Sequence, residues 1–141
     1  MTIEEFRLLH SELIEHYQFI EHHLEGIYSS LQGEKSFYEG LLEVENDNIP
    51  RLLKRIKAIQ DGRGVIVISE EDSNLIEQMC SRRNFWCHNC YVDMVFDRKT
   101  GGPRKETDIK KMRSDLQEAQ KLRDYLFDKK IHYMDEMKNK V

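Results

Sequence analysis

The chain has 141 residues, of which 34 % are charged, and a net charge of −4. That length supports one domain with a single core. The mild acidic balance excludes a broad, non-specific nucleic-acid coat but leaves room for one basic groove. No run approaches the roughly 20 apolar residues of a membrane span, and the amphipathic, acidic start MTIEEFRLLH lacks the layout of a signal peptide. Cys80, Cys87 and Cys90 are odd in number and crowded together, unlike a secreted disulfide framework. These features lead us to expect a cytoplasmic protein with no membrane partner.

Thr2 and Glu5 have the spacing of a capping box, in which side chains satisfy the first free N–H groups of a helix. Phe6, Leu9, Leu13, Tyr17, Ile20, Leu24, Ile27 and Leu31 then recur in steps of three and four, which predicts a helix over 3–31 ending before Gly33. A shorter helix is expected over 35–44, broken by Asn46-Asp47-Asn48. Asn48 as N-cap and Pro50 in the first turn open a third helix that runs to about Gln60. Leu52, Leu53, Ile56 and Ile59 face inward, and Arg51, Lys54, Arg55 and Lys57 form a basic outer side. Asp61-Gly62-Arg63-Gly64 is expected to stop this helix. The β-branched Val65-Ile66-Val67-Ile68 favours an extended backbone; with no partner strand it reads as a partly buried connector. Ser69 caps a central helix whose Glu70, Glu71 and Asp72 suit its positive end, and neither Gly nor Pro interrupts the chain as far as Arg98. After a Thr100-Gly101-Gly102-Pro103 loop, a last helix over about 107–138 turns Ile109, Met112, Leu116, Ala119, Leu122, Leu126, Ile131 and Met134 inward. The expected fold is all-α, an antiparallel bundle of about five helices in a single domain over 1–141. His10, His16, His22 and His23 read as surface residues.

The central helix carries the chemistry. On a helical wheel, Ile76, Cys80, Arg83, Cys87, Cys90 and Met94 share one stripe. Arg83 is the anomaly there, because a buried guanidinium without a partner is very costly. It must reach a polar partner, a cleft or another subunit. Asn84 and His88 lie one turn apart on one face, and Tyr91 follows three residues later. Arg83 and His88 stand about 140° apart on the wheel, so they converge through the reach of Arg83, a local distortion or a second subunit.

Arg83-Asn84-Phe85-Trp86-Cys87-His88 resembles the signature of the HEPN family (higher eukaryotes and prokaryotes nucleotide-binding domains): an Arg, commonly followed by a polar residue, with a His after four to six intervening residues. The resemblance implies a HEPN-like helical bundle, often dimeric, and a metal-independent ribonuclease needing no cofactor. It implies His88 as general acid or base and Arg83 as the phosphate clamp, with Asn84 orienting His88 or binding phosphate. Those residue types suit the reaction. Imidazole exchanges protons near neutrality, and guanidinium stays charged and grips two phosphate oxygens. RNA is the implied substrate, in a toxin–antitoxin or phage-defence setting, with the site formed where two copies meet. Some HEPN toxins carry a Tyr two residues after the His that a partner nucleotidyltransferase antitoxin modifies; here Cys90 holds that place and the tyrosine is Tyr91. Arg82, Tyr91 and the basic residues Arg51, Lys54 and Arg55 are candidate substrate contacts.

Two other readings compete. Cys80, Cys87, His88 and Cys90 include a C-x-x-C pair, but one continuous helix cannot wrap four ligands around a metal ion. Closely packed small thiols fit better, and no metal is expected. The rival function is a non-catalytic helical module for dimerisation or protein interaction. It predicts Arg83 locked by Glu77 or by acids of the first helix, which include Glu12, Glu15, Glu21 and Glu25.

Overall fold

A computed structural model describes residues 2–88, 90–92, 96, 99–100 and 110–139. Five helices occur among them: α1 (Ile3–Ser30), α2 (Phe37–Val44), α3 (Ile49–Arg63), α4 (Glu70–His88) and α5 (Lys110–Asn139). The molecule is an all-α helical bundle. No helix among the described residues is long and apolar enough to cross a membrane. Residues 93–95 and 97–98 of the expected central helix, the Gly101-Gly102-Pro103 loop and the start of the last helix near 107 lie outside the described residues.

Local chemistry sets the helix starts. Thr2 and Glu5 form the full reciprocal capping box of α1. Ser36 caps α2 by accepting from the Glu39 N–H, Asn48 caps α3 through Arg51, and Ser69 accepts from the Asp72 N–H at the start of α4. Helix α3 runs three residues beyond Gln60, through Gly62, and ends only at Gly64, whose φ of 68° is the left-handed conformation that terminates helices. Gly62 alone lowers helix propensity without breaking the hydrogen-bond ladder. Val65 and Ile66 are exposed, whereas Val67 and Ile68 are buried. The Gln60 side-chain carbonyl accepts from both buried backbone N–H groups, so the connector is partly buried, as expected, but the backbone bends at Val67 and Ile68.

Helix α1 is the spine. It touches the other four helices, most extensively α5, and buries Phe6, Leu13, Tyr17, Ile20, Leu24 and Ile27 in the common core. The contacts fix the directions. His16 meets Arg123 and His23 meets Phe127, so α1 and α5 run parallel. Asp72 meets Tyr125 and Trp86 meets Asp115, so α4 is antiparallel to α5, and hence to α1. At α2 the backbone approach is close: a Cβ on Gly40 would lie 2.9 Å from Ser29 Cα. Three histidines and one isoleucine depart from expectation: His10 is half-buried, and Ile131, expected inward, is exposed. His16 and His23 are buried, because they fall on the side of α1 that α5 covers.

Candidate functional site

The face of α4 that enters the core is Ile76, Met79 and Trp86, continued by Cys90. It is turned from the expected stripe toward Met79 and Trp86, because the large indole takes the place at the core that the small thiols of Cys80 and Cys87 would leave loose. Cys80 is half-buried and Cys87 exposed, so of the three cysteines only Cys90 is a buried thiol.

Trp86 is the anchor. Its side chain is fully buried, and its Nε1–H donates to Asp115 Oδ2 at 2.7 Å. Asp115, itself buried, also lies 3.6 Å from Arg82 Nη1, and Arg82 pairs with Glu118. Arg82 is thus turned toward α5 and held by two carboxylates.

Arg83 points the other way, toward α1. It is half-buried, with 26 % of its side chain exposed, and its Nη1 lies 3.5 Å from Glu21 Oε2. Among the described residues Glu21 is its carboxylate partner. The contact is long and uses one nitrogen, so most of the guanidinium donors remain for another ligand. Asn84 and His88 are exposed on the outer side of α4. No hydrogen bond or ion pair joins Arg83 to His88 among the described residues.

The C-terminal end of α4 is tied to α1 by a residue that sequence reasoning placed on the surface. His10 Nε2 lies 2.7 Å from the Trp86 carbonyl oxygen, and Tyr91 Oη lies 3.4 Å from His10 Nδ1. A carbonyl only accepts, so Nε2 carries the proton and Nδ1 is left to accept from the phenol. Phe6 and His10 pack against the Tyr91 ring with centroid separations of 5.1 and 5.0 Å. Burial pushes the Tyr91 phenol above its usual pKa, keeping it neutral. Here the helix loosens: the Phe96 N–H bonds to the Tyr91 carbonyl, five residues back, in a π turn of the kind common at functional sites. The hint in sequence was the i, i+4 pair Phe6 and His10 on α1, but only the packing shows what it touches.

The basic face of α3 does not converge on Arg83. Arg55 pairs with Asp47 at 2.6 Å and Glu43 at 3.1 Å, and Arg51 lies 3.5 Å from Asp47. Lys54 and Lys57 instead line a groove between α3 and the first half of α4, with Gln60, Glu70, Ser73 and Glu77. No group of three His, Cys, Asp or Glu side chains among the described residues is placed to hold a metal ion.

The chain matches no protein-family model, no curated protein and no solved structure.

Proposed function

We propose that the chain is a metal-independent endoribonuclease of the HEPN type, of the toxin or phage-defence class, acting in the cytoplasm as a homodimer. The observation that supports this reading is the side of α4 left open. Asn84 and His88 are exposed one turn apart, next to a half-buried Arg83 with unused donors. In the reaction the RNA 2′-oxygen attacks phosphorus and its proton passes to a base. The bond to the 5′-oxygen breaks, and that oxygen takes a proton from an acid, leaving a 2′,3′-cyclic phosphate. His88 serves as base or acid, Arg83 neutralises the charge on the phosphorane oxygens, and Asn84 orients one or the other. One imidazole cannot give and take a proton in the same step, so two copies of α4 meet across the scissile phosphate. A nucleotidyltransferase antitoxin acting on Tyr91 would have to displace the contact of its hydroxyl with His10.

RNA incubated with the protein in EDTA is expected to yield 2′,3′-cyclic phosphate ends. His88→Ala and Arg83→Ala should each lower the rate by about 10²–10⁴-fold. Full activity in a folded His88→Ala variant would overturn the assignment.

A second reading has its own observation. Arg82 is engaged by Asp115 and Glu118, and Arg83 faces Glu21, which is the internal pairing expected of a non-catalytic interaction module. No cleavage by the wild type, together with a stable self-association that Arg83→Ala leaves intact, would favour this reading.

A further inference from the structure

On the side of the bundle formed by α1 and α5 alone, a second cluster of polar and aromatic groups lines an open cleft of about 380 Å³. Helix α1 contributes Phe19, His22 and His23; α5 contributes Arg123, Asp124, Phe127 and Lys130.

Lys130 is the first oddity. Its aliphatic stem crosses α1 at Gly26, where a Cβ would come within 2.5 Å of Lys130 Cδ. The ammonium lies 5.3 Å from the Phe127 ring centroid and has no carboxylate partner among the described residues. A half-buried cation without a counter-ion is an unmet cost, and burial accordingly lowers its pKa.

His23 is the second. Only 4 % of the residue is exposed, and its Nδ1 has no hydrogen-bond partner among the described residues. Burial, followed by the charges of Lys130, His22 and Arg123, pushes its pKa down to about 4. The ring is therefore neutral at physiological pH, and with Nδ1 closed to solvent it lies beneath the cleft, where it senses charge bound above it.

The third is aromatic. Phe19 and Phe127 remain 38 % and 45 % exposed although they flank this cationic cleft. The Arg123 guanidinium sits 4.0 Å from the Phe19 ring centroid, and Arg123 Nη1 also reaches His16 Nδ1 at 3.1 Å and Glu15 Oε1 at 3.6 Å.

An unpaired cation and open ring faces are complementary to one ligand chemistry. An anion satisfies Lys130, and a flat π-system covers the phenylalanines. We propose that this α1–α5 cleft is a nucleotide-binding site, in which Lys130 and Arg123 hold a phosphate above the buried His23 ring and Phe19 and Phe127 carry the attached base. The nucleotide is either free or part of a single RNA strand. The site uses no residue of α4 and stands independently of the endoribonuclease reading; with an RNA strand bound, it adds a point of substrate capture to that reading.

The test follows the histidine ring signals of the full chain by NMR. The probes are inorganic phosphate, adenosine 5′-monophosphate and a 2′-O-methyl oligouridylate that cannot be cleaved. The charged and titratable groups facing His23 are His22 on α1 and Arg123, Asp124 and Lys130 on α5. Without a probe, His23 titrates near pH 4; a bound phosphate raises that value. The monophosphate binds more tightly than inorganic phosphate. Lys130→Gln weakens both by about tenfold, while Phe127→Leu weakens the monophosphate alone by about tenfold. The oligouridylate binding more tightly than the monophosphate identifies a strand, and the reverse a free nucleotide. His88→Ala leaves the inorganic phosphate and monophosphate affinities read at His23 unchanged, so loss of RNA cleavage and loss of this site are separate results. His23 signals unmoved by any probe, affinities untouched in folded Lys130→Gln, or a monophosphate no tighter than phosphate would each overturn the assignment.

Discussion

The α1–α5 seam and the α4 helix are held in place by different physics. The seam joins the two longest helices in parallel and buries apolar side chains along its length, with Ile20, Leu24, Ala119 and Leu126 among them. Helix α4 meets α1 and α5 along a narrower line and relies on polar pegs: Trp86 on Asp115, Arg82 on Glu118, His10 on the Trp86 carbonyl, Arg83 on Glu21. Burial is non-directional and grows with area, so the seam tolerates exposed neighbours such as Phe19 and Phe127. Polar pegs are directional, and they fix the rotation of α4 about its own axis. That rotation decides which side of the Arg83–His88 segment faces outward.

The comparison is broken most severely at Trp86. Trp86→Ala should cost about 3–5 kcal/mol, because it opens a cavity and also leaves buried Asp115 without its indole donor. Urea unfolding would measure it, and a loss below about 1 kcal/mol would show that α4 is not anchored there.

The seam has its own weak point in acid. The folded-state pKa of His23 lies below that of the unfolded chain, so the unfolded state binds the extra proton first. The stability held in a neutral His23 is complete above about pH 6.5 and falls as pH drops toward 4. The loss is on the order of 2–3 kcal/mol for a shift of this size. Unfolding of wild type and His23→Phe at pH 7, 5 and 4 should give curves that diverge in this direction; parallel curves would remove His23 from the account.

Gly40→Ala probes the close approach of α2 to α1. Because the new methyl would meet backbone at Ser29 rather than a mobile side chain, about 1–3 kcal/mol should be lost to overpacking, readable as a lower Tm.

The smallest stability effect is expected at Arg83. The Arg83–Glu21 contact is long and partly exposed, so Arg83→Ala should change unfolding free energy by less than about 1 kcal/mol and, under the nuclease reading, remove RNA cleavage. Glu21→Gln sharpens the point: freeing the guanidinium should tighten RNA binding under the nuclease reading. A large stability loss in both variants with no change toward RNA would favour the interaction module.

Helix content was legible because it is written in local terms. The steps of three and four in α1, the capping residues Thr2, Asn48 and Ser69, and the β-branched run at 65–68 each act within a few residues of themselves. The need of Arg83 for a polar partner was also legible, and an acid of α1 was among the candidates. What the sequence could not supply was choice between equivalents. On the wheel Arg83 and the cysteines share an arc with Ile76, and nothing local says that the core will take Met79 and Trp86 instead. Asp115 reaches Trp86 across 29 residues, and His10 reaches it across 76. By itself, then, the sequence determined that this chain is helical, where its helices begin, and that one helix carries an arginine, an asparagine and a histidine within six residues. The tertiary structure alone decided that Arg82 and Arg83 part toward α5 and α1, that Asn84 and His88 face outward, and that His23 is buried beside Lys130. Helix formation is settled by neighbours a turn away, whereas the facing of a helix is settled by partners that only folding brings within reach.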